Sequence, residues 1–155
     1  MSATLAVKVG VRVRPFNDRE KTLGCELCVR MSEDAKSTFL IDTDDTRHER
    51  QFTFDHSFWS HDGFREADAS GLLEPDSQES SYASQQLVYD QIGVQVLNNA
   101  WEGYHCCLFA YGQTGAGKSY SMVGYGANKG IVPMSCAEVF KRISANKDPQ
   151  LEYCY

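Results

Sequence analysis

Eight consecutive residues have the types and spacing to hold a chain of phosphates: Gly112, Gln113, Thr114, Gly115, Ala116, Gly117, Lys118 and Ser119. They fit a glycine, four unrestricted positions, then Gly-Lys and a hydroxyl residue. Glycines let the backbone curl so that successive amide hydrogens point at phosphate oxygens. A helix following such a loop presents its positive end to the same anion. The lysine reaches the β- and γ-phosphates, and the serine hydroxyl is placed to ligate Mg²⁺. A chance match in a chain of this length is about one in two hundred, so a plain glycine turn with a surface lysine is the weaker reading.

The loop needs a strand before it and a helix after it, and the flanking residues predict both. Cys106 to Tyr111 is a short unbroken apolar run ending at Gly112, as in a strand buried on both faces of a parallel sheet. Lys118 to Val123 can begin a helix. Upstream, Ser84 is a suitable N-cap, and Leu87, Val88, Ile92, Val96, Leu97, Ala100 and Trp101 recur at helical spacing up to Gly103. Downstream, Pro133 and Cys136 to Ile143 predict another helix, with Ala137, Val139, Phe140 and Ile143 on its inner face.

The amino-terminal half reads as strands. Residues 5–13 alternate, with Leu5, Val7, Val9, Val11 and Val13 on one face, until Pro15 removes a ladder donor. Residues 27–31 and 38–41 predict a small antiparallel meander. Phe52, Phe54, Phe58 and Trp59 mark an aromatic strand or strand end. Residues 60–81 then change character, with six acidic residues against Arg65 and breaks at Gly71 and Pro75. They read as a solvated surface-loop insertion.

Composition narrows the class of protein. Over 155 residues, 42% are hydrophobic, which permits a packed core. The net charge of −6 argues against nucleic acid as the main partner. No charged region followed by an apolar stretch opens the chain, and Cys106 to Tyr111 is too short to span a bilayer, so no membrane contact is expected. The six cysteines form no evenly spread framework, and Cys25 and Cys28 lack a second close pair for a zinc site. They read as reduced, small apolar side chains of a cytoplasmic protein.

Phosphate loops of this kind serve kinases, GTPases, transporter ATPases and motors. Each also needs a second acidic Mg²⁺ element and a group that positions the attacking group. No strand-borne Asp follows Ser119. Phe39-Leu40-Ile41-Asp42 has an apolar-then-acidic pattern, but it precedes the loop beside a polar turn and reads as a meander strand end.

The residues around the loop resemble kinesin motor domains. Phe109-Ala110-Tyr111-Gly112-Gln113-Thr114-Gly115-Ala116-Gly117-Lys118-Ser119-Tyr120-Ser121-Met122 is similar to the kinesin phosphate loop with its flanks. Val11-Arg12-Val13-Arg14-Pro15-Phe16 resembles the end of the first kinesin strand. Phe52-Thr53-Phe54-Asp55 with Phe58, then Gln86, Val88-Tyr89 and Glu102-Gly103-Tyr104, and finally Gly130-Ile131-Val132-Pro133, follow in the family's order. Phe58-Trp59-Ser60-His61 and Gly117-Lys118-Ser119-Tyr120 look most like the kinesin-3 branch. The 62–81 loop and residues 124–130 suggest a divergent member.

The resemblance implies an α/β fold of the kinesin phosphate-loop type, present in part, with residues 1–155 as the amino-terminal part of the motor domain. It implies that Arg12, Arg14 and Pro15 border adenine, that Tyr120 packs on the base, and that Gly112 to Ser119 wrap the phosphates of ATP. Lys118 and Ser119 would be the catalytic members, with Ser119 on Mg²⁺. It implies ATP hydrolysis coupled to movement along microtubules for the complete domain, and a cytoskeletal location. His105, Cys106 and Met134 depart from the usual family residues, away from the expected phosphate contacts. The family's NxxSSRSH and DLAGSE segments are absent from the sequence, as is its basic microtubule-binding surface. The 155-residue chain is therefore expected to bind nucleotide at best. The alternative is a non-motor kinesin-like protein that binds nucleotide or a partner without hydrolysis. An unrelated kinase or transporter has no need of the 11–16 and 130–133 segments.

Overall fold

Pro15 and the capping residues after it set the first turn of the fold. The structure, a computed structural model, describes residues 7–42, 44 and 48–146. Strand β1 covers Gly10–Val13. Helix α1, Asp18–Thr22, follows behind a capping box in which Asn17 and Glu20 satisfy each other's amides. The predicted strand 5–13 is thus shorter than its alternation suggests. Leu5 lies outside the described residues, and Val7 and Val9 are exposed. Arg12, on the opposite face of β1, is as half-buried as Val11 and Val13, because its side chain is bonded inward rather than solvated.

The described chain divides into two compact units. The first runs to Ala69 and includes Leu73–Ser84; the second comprises Ser70–Leu72 and the residues from Gln85 onward. In the first unit, β2 (Val29–Met31) and β3 (Ser37–Ile41) pair antiparallel as expected. Strand β4 (Glu49–Thr53), which carries Phe52 of the aromatic segment, adds a third antiparallel strand that the sequence pattern does not assign to the meander, in the order β2-β3-β4. Strand β5, His56–Trp59, pairs parallel with β1, Val13 lying opposite Trp59. Phe58, Tyr82 and Ala83 are the buried apolar side chains of this unit. Its buried hydroxyls are paired: Thr38 with Ser57 at 3.0 Å, and Ser60 donating to the Ala83 carbonyl at 2.6 Å.

Residues 60–81 are not a bare loop. Strands β6 (Phe64–Glu66) and β7 (Leu73–Pro75) pair antiparallel within them. An Arg65–Glu74 ion pair of 2.6 Å spans the ladder, and Phe64 packs against Tyr82 with ring centroids 5.1 Å apart. The acidic composition marks an exposed surface, and cross-strand pairing of one of those acids supplies regular structure on it.

In the second unit the helix predicted after Ser84 has three parts. Helix α2 covers Gln85–Val88, a π-helical turn covers Tyr89–Gly93, and α3 covers Val94–Trp101. Val88, Tyr89 and Leu97 are buried, whereas Leu87 and Trp101 are exposed. A Cβ on Gly93 would collide with the ring of Tyr89, so the π turn needs glycine there. Helix α4 is Lys118–Met122, strands β8 (Gly124–Tyr125) and β9 (Asn128–Lys129) make a two-stranded hairpin, and helix α5 is Ile131–Ala145. Helix α5 starts five residues earlier than Cys136. Of its residues Ile131 is buried, while Ala137 and Phe140, expected inside, are exposed.

Cys106 to Tyr111 is not a strand. It has no ladder partner among the described residues, and Phe109 and Tyr111 are 79% and 95% exposed. Apolar sequence favours burial, but a strand exists only through hydrogen bonds to a neighbour. The cysteines follow suit. Cys25, Cys28, Cys106, Cys107 and Cys136 are all free and exposed rather than small core residues, and Cys154 lies outside the described residues. Among the described residues no helix is long and apolar enough to cross a membrane.

Candidate phosphate-binding site

Three glycines give the 112–119 segment its curl. Gly112, Gly115 and Gly117 have φ of +147°, +82° and +93°, a region that side chains disfavour. A Cβ on Gly115 would meet nothing within 4 Å, so glycine is required there by backbone conformation and not by crowding. Ala116 donates its amide to the Gln113 carbonyl at 3.1 Å, closing the turn. Gly117 leads directly into α4, whose first two residues are Lys118 and Ser119.

The Lys118 ammonium folds back over the loop. It donates to the carbonyls of Gly112 at 2.7 Å and Gln113 at 2.9 Å. These two contacts hold a full positive charge at the mouth of the loop while leaving its third proton available. Helix α4 has five residues, too few for aligned peptide dipoles to accumulate. The positive potential of the loop therefore comes from Lys118 and the loop amides, and less from the helix end than the sequence pattern implies.

Thr114, Gly115, Gly117, Lys118 and Ser119 line an open cleft of about 420 Å³, together with Tyr120 and Tyr125. The volume is that of a small-molecule site. Gly112, Gln113 and Ala116 contribute backbone to the loop without lining the cleft. The donor set suits a polyphosphate: a lysine, a hydroxyl and a glycine-rich backbone, with no carboxylate among the lining residues to repel an anion. The Ser119 hydroxyl is exposed and can give one oxygen ligand to a hard divalent cation that keeps water in its other positions.

Arg12, Arg14 and Pro15 belong to the first unit. Arg12 donates from Nε to Ser60 Oγ at 2.9 Å and from Nη2 to the Ala83 carbonyl at 3.2 Å, tying β1 to the residues after β5. Arg14 forms a two-pronged pair with Glu20 at 2.6 and 2.7 Å and also donates to the Pro15 carbonyl. The Arg14 hydrogen bonds, with help from the Asn17 amide, lower the Glu20 carboxyl to about 2. The same pair raises Arg14 above its usual value. Both arginines thus carry structural contacts that their expected role beside a base does not include.

Sequence reasoning does not reach Glu20, Gln85 or Tyr125. Gln85 is buried, and its Nε2 donates to the Tyr120 carbonyl at 2.7 Å and to the Asn128 carbonyl at 3.2 Å. It fastens the helix of the loop to the β8–β9 hairpin. A polar residue at the start of an apolar-faced helix is its sole sequence signal. Asn128 in turn donates to Gly71, which ties residues 70–72 into this unit.

Comparison with known proteins identifies the arrangement. Residues 12–155 match the kinesin motor domain family. The chain is 48% identical over 145 residues to kinesin-like protein KIF28 of Rattus norvegicus, an alignment covering 94% of this chain and 14% of that protein. It is 46% identical over 149 residues to kinesin-related protein 1 of Dictyostelium discoideum, covering 90% of this chain and 6% of that protein. For KIF1C of Homo sapiens the identity is 42% over 154 residues, covering 97% and 13%. KIF28 and KIF1C are of the kinesin-3 branch, in agreement with the 58–61 and 117–120 segments. Among solved structures, a KIF14 segment with ADP in complex with a microtubule superposes with a TM-score of 0.75 at 37% identity, covering 94% of this chain and 36% of that one. The chain thus spans about a seventh of the KIF28 length and about a third of the KIF14 segment. With the family's fold present in part and its motifs in order, the chain belongs to the kinesin motor domain family.

Proposed function

We propose that this chain is the nucleotide-binding, amino-terminal part of a motor that couples ATP hydrolysis to movement along microtubules. Gly112 to Ser119 hold the phosphates, with Lys118 at the β- and γ-phosphates and Ser119 on Mg²⁺. Arg12, Arg14, Pro15 and Tyr120 border the base. Ser119 would hold Mg²⁺ through its hydroxyl, and the ion would supply positive charge to offset the negative charge developing on the phosphates. The observation that carries the reading is Lys118, held at the cleft by two carbonyls of its own loop. A phosphate oxygen exchanges those neutral acceptors for a charged one, which is the stronger partner. The microtubule partner is supported by family membership and by the KIF14 structures, one with ADP and one with AMP-PNP, each in complex with a microtubule. Such a motor works on the cytoskeleton in the cytoplasm.

Lys118→Ala tests the reading. It removes charge-assisted hydrogen bonds worth about 1.5–3 kcal/mol each, so Mg·ATP affinity measured by calorimetry falls at least about tenfold. Unchanged affinity would overturn the phosphate assignment.

A further inference from the structure

The cleft has one wall that the phosphate loop does not supply. Tyr125, on β8, lines it beside Gly117, Lys118 and Tyr120. Its ring centroid lies 6.2 Å from that of Tyr120, with 30° between the planes. Tyr125 is 65% exposed, so core packing does not account for an aromatic side chain at this position.

Its place is nonetheless fixed. Gly124 has φ +76°, and a Cβ there would overlap the Asn128 carbonyl, so the hairpin closes only with glycine at that position. A Cβ on Gly130 would come within 2.6 Å of the Met122 carbonyl oxygen, which brings the hairpin's exit against the end of α4. Gly130 donates its amide to Val123 at 2.9 Å. The buried Gln85 amide bridges Tyr120 and Asn128 from behind. The hairpin and the helix of the phosphate loop are therefore one piece, and Tyr125 holds a set distance from the loop.

We propose that Tyr125 is a base-binding residue that forms, with Tyr120, an aromatic platform for the purine of the bound nucleotide. The proposal rests on the phosphate-loop reading above. At 6.2 Å the two rings touch each other, so a base lies across their outer faces and not between them. Every base has a π-face, so such a platform adds affinity with little discrimination between adenine and guanine. A tyrosine suits the position because its ring stacks while its hydroxyl stays in water.

The two-ligand test separates this role from simple support of the loop. ATP and inorganic tripolyphosphate are titrated, each with Mg²⁺, into the full chain, Tyr125→Ala, Tyr125→Phe and Lys118→Ala. The expected result is that Tyr125→Ala weakens ATP about fivefold or more while tripolyphosphate is unchanged, and that Tyr125→Phe restores ATP affinity. Equal weakening of both ligands would make Tyr125 a support of the loop and overturn the proposal, as would unchanged ATP affinity. Lys118→Ala must weaken both ligands. If it weakens neither, or the unaltered chain binds neither, the phosphate-loop reading fails and the platform fails with it. If Lys118→Ala acts as expected and Tyr125→Ala has no base-dependent effect, the platform alone is wrong.

Discussion

Gln85 donates its side-chain amide to the main-chain carbonyl of Tyr120 across 2.7 Å, although 35 residues separate them in sequence. The bond joins the start of α2 to the helix that carries Lys118 and Ser119, and the same amide also reaches Asn128. Gln85→Ala removes this donor and opens space behind the loop. The expected cost is about 1–3 kcal/mol, the penalty of leaving buried acceptors without a partner. Urea unfolding measures it. Gln85→Glu should be at least as damaging, because a carboxylate cannot donate to either carbonyl. Wild-type stability in Gln85→Glu would show that the clamp contributes nothing.

Ser119→Ala addresses the cation. If the Ser119 hydroxyl ligates Mg²⁺, wild-type ATP affinity falls when Mg²⁺ is chelated, and the variant loses most of that dependence. The difference expected in Mg²⁺ is about tenfold, the worth of one contact to a charged group. Calorimetry with and without chelator decides it, and an undiminished Mg²⁺ dependence in the variant would remove Ser119 from the cation site.

The Arg14–Glu20 pair predicts an acid-dependent element of stability. Glu20 titrates at about 2 in the fold and at 4.5 when unperturbed. A carboxyl lowered on folding gives its full contribution above the unperturbed value and loses it as pH falls from about 4.5 toward about 2. Between pH 6 and pH 3 the thermal midpoint of the wild type should therefore fall further than that of Glu20→Gln. A carbon-13 titration of the Glu20 carboxyl provides the direct check; a midpoint near 4.5 would contradict the pairing.

Hydrolysis should be absent from residues 1–155 alone. Phosphoryl transfer requires a group that orients the attacking water and a sensor that closes on the γ-phosphate, besides the loop and the cation. The family's NxxSSRSH and DLAGSE segments, which supply these, do not occur in the sequence. Purified chain assayed with and without microtubules should show no stimulated phosphate release. Stimulated release would mean that the chemistry needs fewer residues than these.

The phosphate loop is legible in sequence because its conformation is set by residues next to one another: Gly112, Gly115 and Gly117 each adopt the positive φ that their type permits. The β2–β3 pairing is legible for a similar reason, since the short turn between the two strands dictates it. Cys106 to Tyr111 misleads because hydrophobicity announces a preference for burial and not the partner that would provide it. Phe140 and Ala137 mislead in the same way on α5. Gln85, Tyr125 and Glu20 depend on contacts to Tyr120, to the cleft and to Arg14, and no periodicity within their own segments encodes those contacts.

The π turn at Tyr89–Gly93 changes how the whole 85–101 segment must be compared with other sequences. The amide of Val94 donates to the carbonyl of Tyr89, a step of five residues where an α-helix takes four. The turn is equivalent to a single-residue insertion, and one residue is about 100° of rotation. A helical wheel drawn through the segment without a break therefore misassigns every position on one side of Gly93. A one-residue deletion within Tyr89–Gly93 would convert the turn to regular α-helix and leave the two flanking faces in their present register, so Leu97 should stay buried.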